Sequence, residues 1–310
     1  MKGLTLAEGF YREYGEPMLR EQFPALMDKI AVGLVGSGSE CFGFDDQISR
    51  DHDFEPGFCL FLPGEEQVDR TAAFALERAY EKLPKEYRGF TRSPIKPVGG
   101  NRHGVLRLAD FLTEKTGTPD GLIEGNAWFF LPEQALAEVT NGQLFWDGSG
   151  DFTAIRQRLS YLPKEVCRKK LAGHLLLMGQ AGQYNHPRCI ARGEYAAARL
   201  AVNEFVNSAL HAAFLLEKKY LPYYKWQFRA LRALPMGTRL SASLEQLLAG
   251  GLTPAETDRL IGAIAAVTAE AVQAQGLSAL PDRELERLAY AVNNGIGDAE
   301  LRNLHILYGV

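Results

Sequence analysis

The chain lacks an excess of positive charge. Its 34 lysines and arginines are outnumbered by 38 aspartates and glutamates, giving a formal net charge of −4. No global field draws it to nucleic acid or to an anionic membrane, so a strong nucleic-acid-binding surface is not expected. It also lacks any apolar run near the roughly 20 residues that span a bilayer, so no membrane partner is expected either. The opening MKGLTLAEGFYREYGEPM carries charges throughout and no apolar segment, so no signal peptide is expected and the cytoplasm is the expected location. Cysteine is sparse. Cys41, Cys59, Cys167 and Cys189 are scattered, with no CxxC pair and no histidine at zinc-finger spacing, which points to free thiols in a reducing compartment.

What is present is a globular composition, 46% hydrophobic and 23% charged over 310 residues, enough for one large domain or two ordinary ones. Apolar positions recur at helical spacing through residues 4–29. Residues 30–35 (IAVGLV) and 58–62 (FCLFL) read as short buried strands, with a helix over 72–83 and a weaker strand over 103–108. A short helix with Pro132 in its first turn follows, and 143–148 reads as a small strand entering a turn. Helical patterns then dominate, over 151–161, 163–182, 193–220, 240–249, 255–274 and 283–294, and strand signals almost vanish. The expected fold class is α+β: a mixed α/β domain with a small sheet over residues 1–140, then an all-α helical substrate-binding domain over 141–310.

One stretch, LVGSGSECFGFDDQISRDHDFEPG (34–57), carries the chemistry. It is not a dinucleotide fingerprint, because Cys41 stands where the third glycine belongs, and not a P-loop, because Gly-Lys-Ser/Thr is missing. As a calcium loop it would place Pro56 at the obligatory glycine and Leu62 at the bidentate glutamate. The remaining reading is a strand ending in a Gly-Ser turn, followed by Asp51 and Asp53 on one face of the next strand start. Two carboxylates projecting together favour a hard cation, Mg²⁺, and a pair of such ions can clamp the oxygens of an in-line phosphoryl displacement. Gly36, Ser37, Gly38 and Ser39 would bring backbone N–H groups and hydroxyls to phosphates without bulk. A solvated acidic turn is the plain alternative. His52, on the opposite face, is expected to pack or hydrogen-bond.

These residues, Val35-Gly36-Ser37 followed by Asp51-His52-Asp53, resemble the nucleotidyltransferase superfamily of DNA polymerase β type. The stretch 36–57, with NGQLFWDGSGDFTAIRQRLSYLPKEVCRKKLA (141–172) and FLLEKKYLPYYKWQFRALRALP (214–235), is most similar to its uncharacterised branch, domain of unknown function family 4037. The resemblance implies a nucleotidyltransferase-like N-terminal domain with two Mg²⁺ ions held by Asp51 and Asp53. It also implies transfer of NMP from an NTP, ATP being expected, to a hydroxyl acceptor, more readily a small molecule than RNA or protein. The superfamily's third carboxylate has no counterpart within 103–108; Asp110 lies just beyond, at an expected helix start, and Pro56-Gly57 argue against a strand that would include Glu55. A non-catalytic nucleotide sensor or partner-binding module is therefore the competing reading.

In the helical half, Arg199, Asn203, Asn207 and His211 fall four apart on one helix face, a candidate acceptor cleft or else a solvent-facing stripe. Tyr224, Lys225 and Arg229 are candidate base and triphosphate ligands, Lys225 by analogy with lysines in the helical domains of antibiotic nucleotidyltransferases. The alternative for that segment is an amphipathic helix packing Tyr224, Phe228 and Leu231. Residues 183–188 (QYNHPR) are expected to end a helix and form a loop.

Overall fold

The periodic apolar side chains of residues 4–29 form α1 (Gly3–Phe10) and α2 (Glu16–Gln22), joined without a break by a π-helical turn at Tyr11–Gly15. The computed structural model describes residues 1–50, 54–93 and 103–310. A four-stranded sheet follows the order β5-β2-β1-β6. At its centre, β1 (Ala31–Leu34) pairs antiparallel with β2 (Cys59–Leu62). A separate hairpin comprises β3 (Glu86–Tyr87) and β4 (Phe90–Thr91). β5 (Gly104–Arg107) runs parallel to β2, and β6 (Gln143–Asp147) antiparallel to β1. The hairpin turn is Arg88-Gly89, both at positive φ (51° and 81°), which matches the twist of two-residue hairpins.

Every residue of β1 and β2 is buried, because the sheet is covered on both faces, and this is why both strands read as unbroken apolar runs. On one face Val32, Leu34, Leu60 and Leu62 share a core with Phe10 and Leu19 and with Leu76 and Tyr80 of α3 (Arg70–Glu81), a helix capped by the Asp69 side chain. On the other face the Phe61 ring meets Phe111 of α4 (Leu108–Thr116) at 5.3 Å. Beyond α5 (Glu133–Thr140) and β6, α6 (Asp151–Arg158) brings Phe152 to 4.8 Å from the same ring. The Trp146 indole N–H donates to the Met27 carbonyl at 2.7 Å and ties β6 to the chain that leads into β1.

The chain divides into two compact units, Met1–Glu124 with Leu131–Ser160, and Gly125–Phe130 with Tyr161–Val310. The first contains the whole sheet, so Gln143–Asp147 is structurally part of it. The second is all helical. α7 (Lys164–Met178) runs through a π-helical segment, Gly179–Asn185, into α8 (His186–Ala191), and α9 (Tyr195–Leu216) packs on it. Then come α10 (Gln227–Arg232), α11 (Pro235–Ala249), α12 (Pro254–Ala274), α13 (Leu285–Asn294) and α14 (Ala299–Asn303). α12 starts one residue before the helical pattern over 255–274, with Pro254 in its first turn and a reciprocal capping box between Thr253 and Glu256. The fold class is therefore α+β, a small mixed sheet with helices and a helical part.

Residues 183–188 are not a loop. Wide i→i+5 turns carry the helix through Gln183–Asn185, and Pro187 falls in the first turn of α8. The π segment breaks the regular i→i+4 ladder just before the proline, and Pro187 then occupies a first-turn position whose missing N–H costs little.

Lys169 is fully buried in the second unit. Its ammonium donates to Asn293 Oδ1 at 2.9 Å and to the Leu304 carbonyl at 2.8 Å, fastening the last turns of the chain to α7. Burial pulls its pKa down. Among the described residues, no helix is long and apolar enough to cross a membrane.

Candidate functional site

The first unit contains a cavity of about 850 Å³ on the α4 side of the sheet. β1 runs out into it at Leu34, and Val35, Gly36, Ser37 and Gly38 continue its wall. Cys59 and Phe61 of β2 line it, together with Leu106 and Arg107 of β5 and Asp110, Phe111, Glu114 and Lys115 of α4. Glu77 of α3 and Glu40 complete a lining rich in carboxylates.

The glycine-serine turn is held in an unusual backbone state. Gly36 has φ +115°, where an L side chain is strained, and its peptide group is gripped by one side chain. Asn141 Oδ1 accepts from the Gly36 N–H at 2.9 Å, and Asn141 Nδ2 donates to the Gly36 carbonyl at 2.7 Å. The Gly36 N–H is therefore not available to a ligand. The next two, on Ser37 and Gly38, have no partner among the described residues. Beyond Gly38 the chain turns back on itself. Cys41 N–H donates to the Gly38 carbonyl at 3.0 Å and Phe44 N–H to the Ser39 carbonyl at 2.8 Å. Ser39 is not among the lining residues; its hydroxyl donates to Glu40 at 3.3 Å. Asp45 anchors the far end of this excursion, accepting from the Gly3 N–H at 2.9 Å and pairing with Lys2 at 3.3 Å.

On the opposite wall, Lys115 bridges Glu114 (2.8 Å) and the buried Glu138 of α5 (2.7 Å). Burial alone would lower its pKa; the two carboxylates outweigh that and raise it, so it is a firmly charged ammonium. Arg107 donates to the Pro63 carbonyl at 2.6 Å. The Cys59 thiol is pushed up to about 12 by burial, so it is no nucleophile.

Asp51, His52 and Asp53 lie outside the described residues. The segment that follows them is not strand: Glu55 precedes the start of β2 at Cys59 and pairs with His103 at 3.5 Å, while also accepting from the Ser93 N–H. Burial pushes the Glu55 carboxyl up, but His103 and Ser93 together hold it below the usual value. Among the described residues, no three His, Cys, Asp or Glu side chains come together to hold a metal. The oxygen donors around the cavity are of the type a hard cation takes.

The remaining predicted residues belong to the second unit. Lys225 and Arg229 meet on one indole, 5.2 Å and 5.8 Å from the Trp226 ring centre. Tyr224 is 71% exposed, with its ring 4.3 Å from that of Tyr223, so it does not pack inward as an amphipathic helix would require; Leu231 does. The stripe on α9 divides. Asn203 and Asn207 face solvent. His211 stacks on His174 of α7 with ring centres 4.4 Å apart, and burial, followed by the neighbouring His211 and Lys170, drives the His174 pKa well below its usual value. Arg199 donates to the carbonyls of Leu247, at 2.6 Å, and Leu248 at the end of α11. It lines a second cavity of about 430 Å³ with His186; Asn203, Asn207 and His211 are not in that lining.

Sequence reasoning missed Asn141, Glu40 and the Lys115–Glu138 pair. An Asn-Gly dipeptide before a strand is a turn signal, but nothing local says that its side chain reaches a glycine 105 positions earlier.

Fold and cavity together define an α+β protein in which a small mixed sheet carries a polar, carboxylate-lined pocket beside a glycine-serine turn. Residues 128–227 match the family described as Domain of unknown function (DUF4037). The matched span runs from before α5 through β6 and the helices up to the start of α10. No curated protein and no solved structure matches the chain.

Proposed function

We propose that the first unit is a magnesium-dependent nucleotidyltransferase centre, moving NMP from an NTP, ATP being expected, to a hydroxyl of a small acceptor in the cytoplasm. The observation that carries this reading is the turn Gly36–Gly38, whose Ser37 and Gly38 N–H groups are unpartnered among the described residues on the wall of a cavity large enough for a nucleotide. In the transfer, the acceptor oxygen bonds to the α-phosphorus, the bond to the bridging oxygen of pyrophosphate breaks, and the hydroxyl proton leaves to a base. Asp51 and Asp53 would hold the magnesium, which when bound neutralises charge on the phosphates. Asp110, in the first turn of α4 and in the cavity lining, is the carboxylate best suited to act as the third acid. Glu114 and Arg107 would orient the ligand, so that catalysis is mainly positioning and electrostatics.

A second reading, a nucleotide sensor without turnover, is favoured by β5, whose four residues Gly-Val-Leu-Arg include no carboxylate. One experiment separates the two. The protein is incubated with α-labelled ATP, Mg²⁺ and a small-molecule extract, and pyrophosphate and label transfer are followed beside calorimetric binding. Transfer that is lost in Asp53→Asn and Asp110→Asn supports the enzyme; ATP binding without pyrophosphate release supports the sensor. Absence of ATP binding removes both.

A further inference from the structure

The second cavity lies wholly within the helical unit, among α8, α9 and the turn that leads into α12. Its lining is mostly apolar, including Ile190, Ala198, Val202, Leu252 and Pro254. Two buried polar groups interrupt it: Thr257, whose hydroxyl donates to the Thr253 carbonyl at 3.1 Å, and His186. His186 is only 3% exposed, and its Nδ1 lies 2.7 Å from Oδ1 of Asp258. A carboxylate can only accept, so Nδ1 carries the proton, and in the neutral ring Nε2 is left as an acceptor. Nε2 has no partner among the described residues. Nε2 is reached by solvent rather than stranded, so a ligand hydroxyl that donates to it takes the place of water in the cavity.

The lining also says what the ligand is not. Arg199 is the cation within reach, yet two of its guanidinium nitrogens donate to the Leu247 and Leu248 carbonyls, and its charge answers the C-terminal end of α11. Asp258 accepts from the His186 Nδ1–H and is not in the cavity lining. No uncommitted charge remains to recognise an anion or a cation. Tyr195, 68% exposed, presents a flat ring in the lining.

We infer that this cavity binds a small uncharged molecule with an apolar ring and a hydroxyl group, whose O–H donates to His186 Nε2. The volume of about 430 Å³ falls within the range of small-molecule sites, on the order of 300–1,000 Å³. The site stands on the second unit alone and does not depend on nucleotide chemistry in the first.

Phenol is the simplest probe. It is titrated into the full chain by calorimetry, with the histidine ring signals followed by NMR, and benzene is titrated in parallel. Phenol is expected to saturate one site and shift the His186 signals, with benzene weaker by roughly fivefold to tenfold for want of the hydrogen bond. His186→Phe should bring phenol down to the benzene level. Ala198→Trp, which fills the cavity, should abolish both while leaving the helical circular dichroism intact; if it unfolds, Val202→Phe serves in its place. Equal binding of phenol and benzene, binding that survives the filled cavity, or no saturable phenol binding would each overturn the proposal.

Discussion

Asn141 holds Gly36 by both ends of its peptide environment, accepting from its N–H at 2.9 Å and donating to its carbonyl at 2.7 Å. One amide side chain thus does for the turn what a neighbouring strand would do, at the point where β1 has left the sheet. Replacing it with alanine removes two hydrogen bonds and leaves a part-buried peptide group unmet, a loss of about 2 kcal/mol. Asn141→Ala should lower the unfolding free energy from urea titration by that amount and weaken nucleotide binding further, because the turn loses its shape. Asn141→Asp keeps the acceptor and should retain part of the stability. If both variants melt like the parent, the clamp is not a support.

Gly36 and Gly38 are both glycine for different reasons, and alanine separates them. At Gly36 the nearest atom to an added Cβ is Phe111 at 4.0 Å, so space is open and the cost is that of φ +115°, about 1–2 kcal/mol. At Gly38 the φ is ordinary, but the added carbon would overlap the Glu40 carboxylate, the movable end of a side chain. Gly36→Ala is expected to destabilise the fold. Gly38→Ala is expected to leave the melting temperature nearly unchanged and to displace Glu40 from the cavity wall, read as altered ligand affinity.

Lys115 and Glu138 form a mostly buried ion pair, their side chains 15% and 6% exposed. Lys115→Met strands the Glu138 carboxylate, which among the described residues keeps the Gln134 amide at 3.1 Å, and should cost about 3 kcal/mol. Removing both charges in Lys115→Met/Glu138→Leu should restore most of that loss. Denaturant titration of the single and double variants decides it; a double variant as unstable as the single one would show that packing, not stranded charge, sets the cost.

Glu16 sits between Arg20 (2.7 Å) and Arg12 (3.1 Å). The Arg20 hydrogen bond, opposed by burial and helped by Arg12, holds its carboxyl below the ordinary value of 4.5. A depressed carboxylate contributes stability that is complete above the unfolded value and is lost as pH falls through the folded one. Glu16→Gln should therefore be less stable than the parent near neutral pH, by a few tenths to about 1 kcal/mol for so exposed a cluster. The gap should close below pH 4.5. Thermal melts from pH 7 to pH 3 test this, and a gap that stays constant across that range would rule the ion pairs out as its source.

The strands over 30–35 and 58–62 were legible because both are apolar runs of strand length bounded by turn residues, and β1 and β2 lie inside them. The helices α7, α9, α11, α12 and α13 were legible by period, whereas α8 and α14 were not. The helical path through Gln183–Asn185 was not, since an internal Pro187 normally ends a helix and no local rule announces a π turn. The Gly-Ser element was recognisable from spacing, but the rest of its cavity was not. Asp110, Glu114 and Lys115 reach the turn only because β5 pairs with β2 in a register that no single segment encodes, and Asn141 arrives through the pairing of β6 with β1.

The widened turn at Gly179–Asn185 has a consequence for how the second unit tolerates change in length. It works as a length buffer, holding one residue more than an ordinary turn. Deleting a single residue from it would restore the regular ladder and leave what lies beyond close to its present phase relative to α7, because the widened turn has already absorbed the extra residue. His186, the first residue after the segment, would keep its alignment with Asp258, while deleting a second residue would turn it away by about 100°. Length in that one segment, rather than the identity of any residue in it, sets the direction in which the buried imidazole faces.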